Sequence, residues 1–342
     1  MSIDAGWALP YRHLARLTTL RGVYEHARHD APRAEHGYCT DDIARALVVA
    51  IREPAPAPEL EQLAQTCLGY LDFAVVPGGR VRNRMSRTGR WTDAAAIGDW
   101  WGRAIAALGF TAVNARRAED RQRARLAFLR AAERRSPDVR ASAFAALGAA
   151  ELVRAHPELS AARQLLDASL AVIPLAPGAR WDWPEPRLRY ANATLCEALI
   201  AGGNALDRPE LVDRGLELLA FLLRTETATD GRLSVTGSAG WAPGERGPLW
   251  DQQPIEVAAI ADACVRAFEV TGAPVWRDGV RLAWNWFLGA NDSNTPMVDL
   301  RTGAGYDGLE PGGRNSNRGA ESTLAALSTH QRLRELGLAA AG

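Results

Sequence analysis

The 342-residue chain carries 40 basic and 40 acidic side chains, so its formal net charge is zero. This balance does not favour nucleic acid or an anionic membrane as a partner, because both select basic proteins. The chain has neither an apolar run of about 18 residues nor the start of a secretory signal, so we expect no membrane span and no export. Four widely spaced cysteines without a C-x-x-C motif are predicted to be buried apolar residues in a reducing cytoplasm: Cys39, Cys67, Cys196 and Cys264.

Two kinds of helix alternate along the chain. One kind is amphipathic with a charged face, which is typical of a helix on the outside of a domain. These outer helices are predicted over 8–25, 57–74, 116–134, 159–173, 208–226 and 274–289. The other kind is rich in alanine and apolar nearly all round, so it must be buried. These inner helices contain "IARALVVAI", "GRAIAALGF", "ASAFAALGAAELV", "ATLCEALIAGG", "IEVAAIADACVRAF" and "ESTLAALS".

The connections between the two kinds of helix differ in length. Links from an inner to an outer helix are short, as at 52–58 and 271–274, whereas five of the six links from an outer to an inner helix are long. The long links are 26–40, 75–98, 174–189, 227–251 and 290–318. Loops of this length are uncommon unless they carry function. We therefore predict an all-α fold: a single domain over 1–342, an (α/α)6 toroid of six helical hairpins with its long loops on one rim.

Two features of this architecture stay open at the level of sequence. A helical solenoid that does not close would show the same alternation of helices. An alternating run between glycines in the 227–251 loop allows one small β-hairpin.

Acidic, amide and aromatic residues are concentrated where the long loops run into the inner helices. The clusters read "HGYCTDD", "DWWGR", "WDWPEPRLRYAN", "WDQQPIE" and "YDGLEPGGRNSNRGAE". A helix cap explains one acid at a helix start, but it requires no tryptophan. In a ring of hairpins these loops share one rim, so we expect the five clusters to surround one hollow. Carboxylates bind sugar hydroxyls and aromatic faces cover a pyranose, so the clusters predict a carbohydrate site.

Cleavage of a glycosidic bond requires one carboxylic acid and a second carboxylate. Asp99 is followed by two tryptophans and Glu185 lies in "WDWPEP", surroundings that raise a carboxyl pKa. We predict Asp99 and Glu185 as the catalytic pair of a glycoside hydrolase, with Asp42 as the next candidate. The predicted substrate-binding residues are His36, Tyr38, Asp41, Arg45, Asn83, Trp91, Trp100, Arg103, Trp183, Tyr190, Asn192, Asp251, Gln252, Gln253, Glu256, Tyr306, Asp307, Glu310, Asn317 and Glu321.

These clusters, with the inner helices that follow them, resemble a bacterial domain of the six-hairpin glycosidase-like superfamily. The resemblance covers nearly the whole chain, and "DQQPIE" and "GAESTL" are fairly specific to that group. It implies an (α/α)6 fold, an oligosaccharide or polysaccharide substrate and a functional link to a glycosyltransferase. Related toroids often invert the anomeric carbon, which implies inversion here. Two positions depart from the pattern: Ala191 stands where relatives tend to have an acid, and Arg318 where glutamine is common.

Other sugar enzymes fit the same pattern. An epimerase would use a histidine base, for which His26 and His36 are the rim candidates, whereas His29 is expected to be solvated. The arginines that could hold phosphate in a phosphorylase are Arg84, Arg103 and Arg318. The tyrosines available to a lyase are Tyr38, Tyr190 and Tyr306.

A non-enzymatic interpretation is a sugar-binding partner of a glycosyltransferase, whose acids only accept hydrogen bonds. The sequences "TDD" and "NDSN" (291–294) offer oxygen ligands for calcium without the full pattern of a calcium loop. Zinc-ligand spacing and the glycine-rich phosphate loop are both missing from the sequence. We therefore predict no metal and no cofactor.

Overall fold

The computed structural model describes residues 8–245, 247 and 250–339. Twelve α-helices form two concentric layers in this part of the chain. The outer helices are α1 (Arg12–Leu17), α3 (Pro58–Ala74), α5 (Ala118–Ala131), α7 (Ser160–Leu170), α9 (Pro209–Thr225) and α11 (Pro274–Leu288). The inner helices are α2 (Thr40–Arg52), α4 (Asp99–Asn114), α6 (Val139–Ala155), α8 (Asn192–Ala205), α10 (Pro254–Thr271) and α12 (Ala320–Glu335).

The inner helices form a closed ring. Each inner helix packs against the next one along the chain, and α12 packs against α2. Each inner helix also packs against the outer helix that follows it, while α1 packs against α12 and completes the sixth hairpin. The (α/α)6 toroid is therefore confirmed, and the open solenoid is excluded.

The first outer helix is much shorter than predicted. Helix α1 ends at Leu17, and two short strands replace the second half of the predicted segment 8–25. Two β-branched threonines favour the extended backbone of the first strand. Gly22 has a φ of 145°, and a Cβ there would lie 2.4 Å from the Ile43 side chain, so this position requires glycine.

The strands are all two-residue antiparallel pairs in the rim loops. The pairs are β1 (Thr18–Thr19) with β2 (Gly22–Val23), β3 (Ala27–Arg28) with β4 (Ala31–Pro32), β5 (Tyr38–Cys39) with β6 (Arg84–Met85), β7 (Val298–Asp299) with β8 (Ala304–Gly305), and β9 (Leu309–Glu310) with β10 (Gly313–Arg314). The hairpin allowed within 227–251 is reduced, in its described part, to one bridge between Thr227 and Leu233. The β5–β6 pair joins the first two rim loops and thereby fixes the start of α2.

Small residues let the inner helices approach closely. A Cβ on Gly148 of α6 would lie 2.2 Å from the carbonyl oxygen of Ile105 on α4, and one on Gly102 would lie 2.2 Å from that of Ala141. Contacts this short leave no space for a methyl group, so the composition of these helices sets the diameter of the ring. The four cysteines are buried and form no disulfide, as predicted for their packing role.

Candidate functional site

Ion pairs connect the amino-terminal ends of α12, α2 and α4. Arg45 of α2 donates to Glu321 of α12, with Nη2 and Oε2 2.7 Å apart. Arg103 of α4 has its Nε 3.2 Å from Oδ1 of Asp41 on α2, and its guanidinium lies 3.9 Å from the centre of the Phe144 ring. These ends surround the opening that we call the mouth of the ring.

Arg140 of α6 extends this network to the 174–189 loop and α8. Its Nη1 donates to Oε1 of Glu185 at 2.5 Å, and its Nε donates to the carbonyl oxygen of Tyr190 at 3.1 Å. The backbone N–H of Ala191 then donates to Oε1 of Glu256 on α10 at 2.7 Å. The structure thus brings residues of all five predicted clusters to one end of the ring.

Asp99 differs from its acidic neighbours because its side chain is unpaired. It is the first residue of α4, is half-buried, and makes no hydrogen bond or ion pair within the described residues. Burial raises the pKa of its carboxyl, opposed by the charge of Arg103 and reinforced by that of Asp41. Asp99 therefore retains a proton to higher pH than an ordinary aspartate.

Asp42 is enclosed in the protein. Its side chain accepts from Nη1 of Arg45 at 2.6 Å and from the thiol of Cys39 at 3.1 Å. Burial raises its pKa to about 6, against the opposing charge of Arg45. Arg45 lines the cavity within the ring and Asp42 does not, so Asp42 acts on that cavity through Arg45.

Two other carboxyls at the mouth have contrasting surroundings. Burial raises the pKa of Glu256 to about 8, and the nearby negative charges of Glu226 and Glu321 add to this effect. Glu185 is held by Arg140 through one oxygen, while its other oxygen is buried without a hydrogen-bond partner in the described part of the structure.

A cavity of about 170 Å³ runs along the axis of the ring. Alanine, valine and leucine side chains form much of its wall, with Arg45 and Arg103 near the mouth. At its far end is a set of buried or nearly buried charged residues that we call the floor: Arg52, Glu151, Glu197, Asp262, Arg266 and Arg332. None of the floor residues was predicted from the sequence as a functional residue. The available signal was the presence of charges in the middle of inner helices that are otherwise apolar.

Several predicted substrate-binding residues are engaged by the protein itself. The Asn83 side chain accepts from the backbone N–H of Thr40, and Asp307 accepts from Gly319 N–H and the Ser322 hydroxyl at the start of α12. Gln252 is 1% exposed and bonds to Asp292 and Trp286. Those that are buried or partly buried in the fold are Tyr38, Trp91, Trp100, Trp183, Asn192, Gln253, Tyr306 and Asn317. Those that are exposed are His36, Tyr190, Asp251 and Glu310.

Known structures share this architecture. No protein-family model and no curated protein matches the chain. A sugar epimerase from a ruminal bacterium superimposes with a TM-score of 0.71 at 12% identity, covering 95% of each chain. A cellobiose 2-epimerase from Bacillus thermoamylovorans gives a TM-score of 0.71 at 11% identity and 96% coverage of each. The cellulase Cel9M of C. cellulolyticum gives 0.58 at 10% identity, covering 92% of this chain and 87% of that one. The chain therefore shares the (α/α)6 fold of these structures.

Histidines in this six-hairpin toroid lie away from the axial cavity, whose wall has none among the described residues. His13 bonds through Nε2 to the carbonyl oxygen of Arg318 at 2.8 Å. The His330 ring lies 4.7 Å from that of Trp284, facing the outer layer. His26 and His36, the predicted epimerase candidates, are exposed on the rim with their rings 5.0 Å apart.

Two of the three arginines considered for phosphate form ion pairs, and the third, Arg318, has a buried Nε–H without a hydrogen-bond partner among the described residues. Arg84 pairs with Glu25, and Arg103 pairs with Asp41. Arg318 has its guanidinium 5.1 Å from the centre of the Tyr306 ring.

One group of side chains in the described structure has the spacing of metal ligands. Ligand atoms of Glu25, Cys39 and Asp42 lie within 4.8 Å of one another. The two acids pair with Arg84 and Arg45, and burial raises the pKa of the Cys39 thiol, which favours its protonated form. A protonated thiol and two charge-paired acids disfavour a metal ion.

No helix among the described residues has the length and apolarity to cross a bilayer.

Proposed function

We propose that this protein is a carbohydrate-active enzyme, a glycoside hydrolase with Asp99 as its general acid. The observation that carries the proposal is the contrast between Asp99 and its neighbours at the mouth. Asp99 is unpaired with a raised pKa, whereas Asp41 and Glu185 each form an ion pair with an arginine. An unpaired carboxyl with a raised pKa is typical of a general acid.

In the proposed reaction, Asp99 donates its proton to the glycosidic oxygen as the bond to the leaving group breaks. Glu185 acts as the base: it takes a proton from the water that attacks the anomeric carbon. Arg140 positions Glu185 for this role through the 2.5 Å contact. We propose inversion of configuration, which needs carboxyl groups roughly 6.5–9.5 Å apart to leave room for water.

A sugar epimerase or isomerase is the second candidate. The similarity to a cellobiose 2-epimerase over 96% of both chains favours it. Because the described cavity wall contains no histidine, the proton transfers would then use carboxyls such as Asp99 and Glu256. A functional link to a glycosyltransferase and a cytoplasmic location remain predictions that accompany both candidates.

The test uses the purified protein and a panel of oligosaccharides, with products followed by NMR in D2O. A hydrolase produces new reducing ends, whereas an epimerase produces an epimer and exchanges a carbon-bound hydrogen for deuterium. We expect Asp99→Asn to reduce turnover by about 100- to 10,000-fold, the usual contribution of a general acid.

The matched control is Asp138→Asn, which makes the same chemical change at an exposed acid within electrostatic reach of Asp99. This control should retain wild-type turnover, and circular dichroism should show both variants folded. An Asp99→Asn variant with turnover close to wild type would exclude Asp99 as the acid. Epimer formation without new reducing ends would replace the hydrolase with the second candidate.

A further inference from the structure

Glu197 on α8 is a buried carboxyl without a partner. It lines the axial cavity, is 6% exposed, and makes no hydrogen bond or ion pair within the described residues. Burial and the nearby charge of Asp262 disfavour the charged form of Glu197, and the charges of the surrounding arginines offset this only in part, without a hydrogen bond or ion pair. A carboxyl without a protein partner that faces a cavity indicates that a molecule bound in the cavity forms hydrogen bonds with it.

The arginines around Glu197 form their direct hydrogen bonds and ion pairs with other residues. Their closest contacts are Arg266 with Glu151 (2.6 Å), Arg332 with Asp262 (2.6 Å) and Arg52 with Ser328 (2.7 Å). The Nε–H groups of Arg52 and Arg266 are buried and have no hydrogen-bond partner among the described residues. Both nitrogen atoms are enclosed by protein and offer no donor to a molecule in the cavity, so the Glu197 carboxyl is the floor group that remains available to a ligand.

Thr194 adds a hydroxyl to this set. It lies three residues before Glu197 on α8, on the same face of the helix and closer to the mouth. It is 4% exposed, and its side chain makes no hydrogen bond within the described residues. A carboxyl and a hydroxyl, neither with a hydrogen-bond partner among the described residues, therefore face a cavity whose wall is otherwise largely apolar.

We propose that the floor binds the terminal ring of a neutral sugar, one of whose hydroxyls donates to Glu197 while another bonds to the Thr194 hydroxyl. Three arginines face three carboxyl groups on the floor, so it offers no net charge to attract an ionic ligand. The volume of the whole axial cavity, about 170 Å³, is below the roughly 300–1,000 Å³ typical of whole ligand sites, which limits the cavity to about one ring. The inference rests on the proposed carbohydrate function and deepens it: the enzyme recognises chain ends.

The test measures binding of D-glucose, D-mannose and D-galactose by titration calorimetry and ligand-observed NMR. We expect at least one of them to bind, and Glu197→Gln to weaken that binding about tenfold or more, since it removes a charged acceptor from the hydroxyls. The matched control is Glu335→Gln, which alters an exposed partner of Arg332 outside the cavity and should bind as wild type. Thr194→Val should weaken binding by a smaller factor.

Three outcomes overturn the proposal: no monosaccharide binds, the Glu197→Gln and Glu335→Gln variants bind equally well, or D-glucuronate binds more tightly than the neutral sugars. Binding by Asp99→Asn separates the two proposals, because Asp99 belongs to the mouth. If Asp99→Asn keeps both turnover and monosaccharide binding, the catalytic assignment fails and the floor site stands. If it loses turnover but the wild type binds no monosaccharide, the catalytic assignment stands and the floor site fails.

Discussion

The mouth and the floor of the axial cavity both contain buried carboxyls and arginines, but they match these charges differently. At the mouth, Arg45 and Arg103 each pair with an acid on a neighbouring helix. On the floor, Arg266 and Arg332 also pair with acids on other inner helices, but Glu197 is left without a hydrogen bond or ion pair among the described residues. Charge pairs that cross helices fix the arrangement of the ring, whereas an unpaired buried charge destabilises the folded state. In both regions the paired groups hold helices together, whereas the unpaired carboxyls, Asp99 at the mouth and Glu197 on the floor, are available to a ligand.

The largest expected effect comes from breaking the matched network at the mouth. Arg140→Met leaves Glu185 and the carbonyl oxygen of Tyr190 without their donor, and the Arg140 side chain is only 8% exposed. We expect a loss of roughly 3–5 kcal/mol in the free energy of unfolding, measured by urea denaturation. Arg187→Met, which breaks an exposed pair with Glu245, should cost no more than about 1 kcal/mol. Equal losses in the two variants would show that Glu185 is solvated and that the mouth is no more buried than the surface.

A smaller effect is expected from a substitution at the contact between the inner helices α4 and α6, which form part of the cavity wall. Gly148→Ala places a methyl group against the backbone of α4, so one of the two helices must shift to accommodate it. We expect a loss of about 1–3 kcal/mol on thermal or urea unfolding. Gly313→Ala is the control, because a Cβ there meets nothing within 4 Å, and it should be neutral to within about 0.5 kcal/mol. A neutral Gly148→Ala would mean that α4 and α6 are not in close contact.

The last expected effect concerns the pH dependence of stability. Burial raises the pKa of Glu197 to about 7 and that of Glu256 to about 8, from an ordinary value of 4.5. The folded state therefore binds more protons than the unfolded state above pH 4.5, so stability falls as the pH rises toward each folded pKa. We expect Glu197→Gln to remove roughly 2 kcal/mol of the fall between about pH 5 and 7.

The same substitution at the mouth, Glu256→Gln, should flatten the curve over a window that extends to about pH 8. Urea unfolding at a series of pH values measures both effects, with the exposed Glu335→Gln as the reference. Identical curves for Glu197→Gln and Glu335→Gln would place Glu197 in a water-like setting and remove the contrast between floor and mouth.

The helical layers and the mouth were predictable from local patterns. Alternation of amphipathic and apolar helices indicated two layers, and Asp41, Asp99 and Glu256 were visible as acids at helix starts. The length of α1 was not predicted, because a glycine with a positive φ interrupted an apparently helical segment. Trp183 looked like a sugar-stacking residue but is fully buried, since sequence does not distinguish a packing aromatic from a binding one.

By itself, the sequence determined that the chain forms paired helices, which of them are buried, and which end of the ring collects acidic residues. These properties follow from periodicity and from the preference for acids at helix starts, which act within a few residues. Only the tertiary structure decided that the ring closes, that Arg140 pairs with Glu185, and that Glu197 has no partner. Ring closure brings together helices that are distant in the chain, and the pairing of a buried charge depends on which helices become neighbours.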